Sequence, residues 1–481
     1  MSENRATPHV DTGARPHVDP PANSRAELVR GLGVWDGVLL TVGSVIGTGI
    51  FLVSSDIAKV LPHGGMLLLV WLAGGLLSLT GALTYAELGA MFPRAGGIYV
   101  FLKEAYGPLT GFLYGWGCFL VMMSGGMAAI AIGFGEYSGA FFPFASTTNV
   151  LASQSFGAWT WTLSGVQVVA VAAILFLTAV NHFGLKQGAA VQNLMTVLKI
   201  GAIVAVAVLG FWVPAKSALG ITAPLATAMS GGGLLAAFGL AMIAALWTYD
   251  GWYGLTFSAG EMKNPGRSLP LGLIGGTAII TALYLLINFV YLRAMPVERM
   301  AGESRIGEAA ATALLGPLAG QWLAAAVVVS TFGCLAATIL YSSRIYHPMA
   351  EDGLFFRSLA RIDPVTHVPA RSLWAQSLWA VVLTLSGSYS QLYTYAVLVT
   401  VLFHVMAGAA VFVLRRTRPE APRPYRVWGY PYVPIAFLAA MAVLLVNTVV
   451  ERPVESLLGL GLVALGLPAY VWLRRSSPRR D

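Results

Sequence analysis

Gly43-Ser44-Val45-Ile46-Gly47-Thr48-Gly49-Ile50-Phe51 sits inside the first long apolar stretch of the chain, residues 36–56. Glycines at 43, 47 and 49 weaken helix continuity there, each costing about 1 kcal/mol relative to alanine in a helix interior. Two readings are open. Small residues spaced four apart let a neighbouring helix approach closely. Alternatively the helix unwinds, and a half-helix starting near Thr48 presents free N–H groups and the positive end of its dipole, a setting that suits a carboxylate.

The rest of the chain places this stretch in a membrane. Of 481 residues 57% are hydrophobic and 10% charged, against about 25% charged in an ordinary soluble domain. A soluble enzyme and a disordered chain are both excluded. The apolar stretches fall at 36–56, 66–92, 109–136, 161–181, 190–213, 233–258, 269–293, 317–346, 372–388, 391–415, 432–450 and 455–473. Each is long enough to cross a bilayer as a helix of roughly 20 residues. The expectation is an all-α membrane protein of twelve transmembrane helices.

Charge gives the orientation. With the N-terminus in the cytoplasm, 22 of the 29 Lys and Arg residues lie on the cytoplasmic side and six outside: Lys59, Lys216, Arg293, Arg299, Arg305 and Arg452. The net charge of +8 therefore faces an anionic lipid leaflet and does not point to nucleic acid. Both termini are expected inside. Residues 1–30, polar and rich in Pro and His, read as a disordered cytoplasmic tail, and 476–481 as a short C-terminal one.

A second interruption lies in the sixth stretch, Trp247-Thr248-Tyr249-Asp250-Gly251-Trp252-Tyr253-Gly254. An aspartate beside glycine within a span needs a partner or a cavity. Unwound carbonyls there would accept hydrogen bonds from an ammonium, with Asp250 as a cap or a partner of a nearby hydroxyl. Breaks in the first and sixth spans are the mark of a five-helix inverted repeat. Ten core helices (31–415) and two accessory ones (416–475) complete the count.

The 29th basic residue, Lys199, lies within the fifth span. It either snorkels to the interface or stands as a buried ammonium beside the broken first helix, in the place of a coupling cation. Cys118 and Cys334 lie in apolar segments and read as buried, inert thiols. No metal-ligand cluster and no nucleophile–base spacing stands out, so no metal, no cofactor and no enzyme chemistry is expected. His182, His347 and His404 read as structural.

These residues carry a family resemblance. The first-helix stretch, Tyr85-Ala86-Glu87-Leu88-Gly89, Pro93-Arg94-Ala95-Gly96-Gly97, Tyr249-Asp250-Gly251-Trp252, Glu261-Met262-Lys263-Asn264-Pro265, the loop from Ser343-Arg344 to Asp352-Gly353, and Pro424-Tyr425-Arg426-Val427 resemble the amino acid–polyamine–organocation superfamily. Within it the chain is most similar to bacterial L-type amino acid transporters, over residues 30 to 475. The resemblance implies a twelve-helix carrier. A substrate carboxylate would meet amides at Gly47, Thr48 and Gly49, and its ammonium carbonyls near Val45, Ile46, Leu246, Trp247 and Tyr249. Trp247 matches the aromatic gate that closes over the side chain; Tyr284 matches a seventh-helix tyrosine. Lys199 matches the lysine that replaces a sodium site.

The implied activity is sodium-independent exchange of neutral L-amino acids across the cytoplasmic membrane. Proton symport, cationic amino acid or polyamine transport and a non-transporting nutrient sensor are the alternatives. Eukaryotic members tether a heavy chain through an external cysteine; the loop at 137–160 has none, so no disulfide-linked heavy chain is expected. Trp247 is bulkier than the phenylalanine common in the family, which favours small substrates unless packing swings the indole away.

Overall fold

The apolar stretches fold as helices, because a helix satisfies its own backbone N–H and C=O groups where no water is at hand. The computed structural model describes residues 32–94, 96–156, 159–183, 188–221, 232–360, 369–386 and 389–476. The tails expected at 1–30 and 476–481 lie outside the described residues, apart from residue 476.

A bent pair, α1 (Val34–Val45) and α2 (Gly49–Val60), comes first, followed by α3 (Gly64–Met91) and a short α4 (Ile98–Tyr106). Helix α5 (Pro108–Gly117) passes through a π turn at Cys118–Met122 into α6 (Met123–Ser138). A hairpin of β1 (Val150–Phe156) and β2 (Trp159–Ser164) leads to α7 (Gly165–His182), α8 (Gly188–Trp212) and α9 (Gly232–Tyr249). A 3-10 segment at Gly254–Glu261 precedes α10 (Pro265–Ala294). Two short helices, α11 (Val297–Met300) and α12 (Ile306–Leu315), connect to the long α13 (Pro317–Glu351). The chain continues through α14 (Ala370–Ser386), α15 (Tyr389–Thr417), α16 (Tyr432–Glu451), α17 (Pro453–Ala464) and α18 (Gly466–Ser476).

Among the described residues nine helical segments are long and apolar enough to cross a membrane, and the bent pair α1–α2 brings the number to ten. Helices α8 and α14 occupy the other two expected stretches but fall short of that measure: only Ile200–Trp212 of α8 enters it, and α14 has 17 residues. The protein is thus an all-α multi-pass membrane protein.

The fourth stretch begins at Gly165 and not at 161. Residues 159–164 pair antiparallel with 150–156, with Trp161 opposite Gln154 and Leu163 opposite Ala152. The sequence Trp-Thr-Trp-Thr-Leu-Ser alternates with a period of two, as a strand does. Ser164 then starts α7 with a capping box shared with Gln167.

Helix α10 packs against α1 and α3, α2 against α9, and α13 against α6, α7 and α8. Helix α15 lies between α6, α9 and α16. The inner layer holds Trp71, Tyr85, Tyr249, Tyr284 and Phe403, all buried. The outer face of α16–α18 exposes Val446, Val450, Leu457 and Trp472, an apolar surface suited to lipid.

One end of the bundle is closed by ionic contacts. Glu87, in the last turn of α3, is 1% exposed. Arg415 grips it with a two-pronged fork (2.9 and 2.6 Å), Arg423 stands 3.5 Å away, and the backbone N–H of Val427 donates to it at 2.8 Å. Beside it Glu104 accepts from Arg94 at 2.9 Å and Arg418 at 2.7 Å. Burial raises the Glu104 carboxyl, but the hydrogen bonds from Arg418 and Arg94 outweigh it and hold the group below the usual carboxylate range. Lys103 and Tyr99 both donate to Asp352 at 2.6 Å, pinning α4 to the segment after α13.

Glu87→Gln leaves two guanidinium groups facing a neutral amide. Removing one partner of a buried ion pair costs about 3–5 kcal/mol. The expected outcome is a clear drop in the thermal unfolding temperature of detergent-purified protein, with Glu104→Gln, whose pairs are more exposed, lowering it far less.

Candidate functional site

The glycine-rich stretch of the first span does unwind. Helix α1 ends at Val45, Ile46 is extended (φ −71°, ψ 93°), and α2 restarts at Gly49 with its axis turned by 50°. Thr48 is the residue preceding α2, and its side chain makes no capping hydrogen bond. At the start of α2 the Phe51 N–H donates to the Thr48 carbonyl at 3.0 Å, and the N–H groups before it stand at a helix N-terminus, outside the repeating pattern of a continuous helix.

The sixth span breaks too. Helix α9 ends at Tyr249, and Gly251 turns the chain with φ +99°. The two breaks touch. Ser44 Oγ donates to the Gly251 carbonyl at 3.0 Å. A Cβ on Gly251 would stand 2.9 Å from the Ser44 carbonyl oxygen, so both its φ and its surroundings require glycine. Tyr284 of α10 lies behind the junction, its hydroxyl 3.3 Å from the Val45 carbonyl and 3.2 Å from that of Thr248. One phenol thus serves the carbonyls at the ends of both α1 and α9.

A cavity opens in front of this junction. Its walls are Ser44, Val45, Gly47, Thr48 and Gly49 from the first break, and Trp247, Thr248, Asp250 and Gly251 from the second. Met122, Met123, Gly126 and Ile130 close one side, where the π turn of the third span displaces the helix. Cys334 and Thr338 of α13 and Ala396, Val397 and Thr400 of α15 complete it.

Five residues singled out from the sequence line this cavity: Val45, Gly47, Thr48, Gly49 and Trp247. Four others do not. Ile46 is fully buried behind the wall. Leu246 faces a smaller adjoining void shared by Asp250, Trp252 and His404. Tyr249 turns toward α3, where its hydroxyl donates to the Trp71 carbonyl at 2.9 Å. Tyr284 reaches the carbonyls from the rear. Lys199 belongs to α8, and its side chain lies outside the described residues.

Sequence reasoning left out Ser44, Thr248, Thr338, Thr400 and the methionines at the π turn. Asp250, read from the sequence as a cap or hydroxyl partner and as the one carboxylate near the pocket, lines the wall. So does Cys334, which is partly accessible, unlike the buried Cys118. Thr338 follows Cys334 by four positions and Thr400 follows Ala396 by four, one helical face each. That spacing was the available signal.

Chemically the cavity offers N–H groups and the positive dipole end of α2 on one side. The ends of α1 and α9, where the chain leaves its helices and frees carbonyls, line it as well, together with Asp250. A small molecule carrying a negative and a positive end finds a counterpart for each. Among the described residues no group of three metal-binding side chains converges.

Residues 32–458 match the amino acid permease family. The chain is 32% identical over 452 residues to the serine/threonine exchanger SteT of Bacillus subtilis, covering 93% of this chain and 98% of that one. It is 28% identical to the human b(0,+)-type amino acid transporter 1, covering 92% of this chain and 88% of that one. It is also 28% identical to the rat large neutral amino acids transporter small subunit 2, covering 97% and 85%.

Two neighbouring glycines separate packing from open space. A Cβ on Gly49 would meet Thr248 Oγ1 at 2.5 Å, whereas one on Gly47 finds nothing nearer than Cys334 Sγ at 3.9 Å. Gly49→Ala is expected to cost about 1–3 kcal/mol through overpacking. Gly47→Ala should unfold near the wild-type temperature, with its methyl group added to the cavity. Thermal unfolding of the two purified variants checks the difference.

Proposed function

The chain belongs to the amino acid permease family, and on that premise we propose that it exchanges neutral L-amino acids, small ones foremost, across the cytoplasmic membrane without sodium. It is a membrane transporter and performs no covalent chemistry. What carries the reading is the cavity between two helix interruptions, lined by the start of α2 and by the ends of α1 and α9. The substrate carboxylate sits at Gly47, Thr48 and Gly49, and the ammonium near the carbonyls of Val45 and Trp247 in the wall, with those of Ile46, Leu246 and Tyr249 next to lining residues in the chain. Pairing both ends makes selectivity for a zwitterion, because an unmatched charge in a dry site is costly.

The architecture we assign is twelve spans with both termini in the cytoplasm. A ten-helix core at 31–415 forms two inverted repeats of five, and the helices of 416–475 are accessory. Rocking of the core around the fixed site alternates access, and Trp247 closes over the bound side chain. The serine/threonine specificity in the name of the Bacillus relative supports a small substrate. No disulfide-linked heavy chain is required, in keeping with a 137–160 loop that has no cysteine. Lys199 supplies the positive charge that a coupling cation would bring.

A second reading has a specific observation behind it. Asp250 lines the cavity and offers a carboxylate to a cationic side chain. Competition among small, branched, aromatic and cationic amino acids separates the two.

The deciding experiment is uptake of radiolabelled L-serine into proteoliposomes. Uptake is expected to require amino acid inside the vesicle and to persist when choline replaces sodium. Accumulation into empty vesicles driven by a proton gradient overturns exchange in favour of symport. Bound substrate is expected to slow alkylation of Cys334 by a small thiol reagent, read by mass spectrometry, and to leave Cys118 unlabelled throughout. Lys199→Ala is expected to lower the exchange rate or displace its pH profile; rate, affinity and pH profile all unchanged would remove the coupling role.

A further inference from the structure

The gate residue of the cavity is held by a group that neither the sequence patterns nor the proposed substrate contacts include. Trp247 carries a single N–H, and it donates to the hydroxyl of Tyr389, the first residue of α15, at 3.0 Å. The same hydroxyl lies 3.4 Å from Thr48 Oγ1. Thr48 does not cap α2 with its side chain, so its hydroxyl is turned to Tyr389 and the cavity.

The next turn of α15 reinforces the arrangement. Tyr393 stacks on the Trp247 indole, with ring centroids 6.1 Å apart and planes 19° from parallel. Its hydroxyl donates to Asp56 of α2 at 3.1 Å, and Asp56 is paired with Lys59 at 2.8 Å. On the opposite face, Gly126 leaves room for the indole: a Cβ there would sit 3.8 Å from it. The start of α15 thus holds Trp247 and reaches the N-cap of α2 at Thr48 and its body at Asp56; of the two tyrosines, Tyr389 is the one that bonds both the gate and Thr48.

A phenol has one proton to donate and lone pairs to accept with. Tyr389 uses a lone pair for Trp247 and has its proton available for Thr48 Oγ1; either hydroxyl can donate in this pair. When Tyr389 donates, Thr48 keeps its own proton for an acceptor in the cavity. A carboxylate at the start of α2 is such an acceptor. With it in place every donor points one way, from the Trp247 N–H to the Tyr389 hydroxyl, on to the Thr48 hydroxyl and then to the carboxylate. Hydrogen bonds aligned in a chain polarise one another and strengthen together, and a charged terminal acceptor strengthens the last link further.

We propose that Tyr389 is a positioning residue that couples occupation of the carboxylate end of the cavity to closure of the Trp247 gate. The inference rests on the amino acid site proposed above and adds to it the residue through which the gate senses the substrate. An empty cavity leaves Thr48 without its terminal acceptor, and the indole is held by a weaker chain. An occupied cavity completes the chain and fastens the indole. The gate therefore closes preferentially over a substrate that has a carboxylate.

The test is a double-mutant cycle on full-length protein. Tyr389→Phe keeps the ring and removes the hydroxyl; Trp247→Phe removes the N–H. Equilibrium binding of radiolabelled L-serine to detergent-purified protein is read beside exchange in proteoliposomes, with unfolding temperature as a control for folding. Tyr389→Phe is expected to weaken binding roughly three- to tenfold, the range of one lost hydrogen bond, and to raise leak of L-serine into amino-acid-free buffer. In the Trp247→Phe background the same change is expected to do markedly less, because the link to the gate is already gone. Tyr393→Phe, whose hydroxyl serves Asp56, is expected to combine additively with Trp247→Phe.

Equal effects of Tyr389→Phe in both backgrounds would make it a packing residue and overturn the coupling. Serine binding that Tyr389→Phe leaves unchanged does the same, even if the wild type exchanges normally. Wild-type protein that binds serine but fails to exchange it overturns the proposed function alone, since the cycle is still read from binding. Wild-type protein that binds none of the amino acids tried overturns the site and the coupling with it.

Discussion

A backbone interrupted inside an apolar layer must pass its freed polar groups to partners other than water. Everything around the two breaks follows from this constraint. Ser44 donates to Gly251, and Tyr284 stands behind the carbonyls of Val45 and Thr248. Gly251 and Gly49 let the backbones approach to where these bonds form. The start of α2 and the ends of α1 and α9 meet at the cavity. The cavity lies where the two interrupted backbones face each other across these contacts.

The surrounding helices supply rigidity where the breaks do not. Helix α10 runs unbroken behind the junction and brings Tyr284 to it. Helix α15 brings Ala396, Val397 and Thr400 to the wall and Tyr389 and Tyr393 to the gate. The π turn after α5 widens the third span where Met122 and Met123 meet the cavity. Soft, unbranched methionines adapt to different neighbours, which suits a wall that has to accept more than one occupant.

The membrane class, the order of the spans and both breaks were legible because each rests on local signals. Apolar length marks a span, and clustered glycines or an Asp-Gly pair mark a break. The start of the fourth span lies later than apolar length suggests, because Trp161 and Leu163 are apolar enough to pass for helix; their alternation with Thr162 and Ser164 is the sign of a strand. The sequence names Tyr249 for its carbonyl; where its side chain goes is not legible, and the structure turns it to Trp71, since one position along a helix is a turn of about 100°. Tyr389 left no trace in the sequence. Its contacts lie 341 residues away at Thr48 and 142 at Trp247, and nothing near it marks a hydroxyl at a helix start as special.

The carboxylate at the end of α3 bears on how the molecule is made. Glu87 emerges early, yet its guanidinium fork comes from Arg415, 328 residues later, and its backbone donor from Val427, 340 residues later. Until those segments have been synthesised and threaded into place, this acid has no counterion from its own chain and no place in an apolar interior. The contacts that hold the end of α3 are therefore completed only after residue 427 has been made. A polypeptide stopped at residue 415 would carry all ten helices assigned to the core and still lack Arg423 and Val427, the closing half of its clasp.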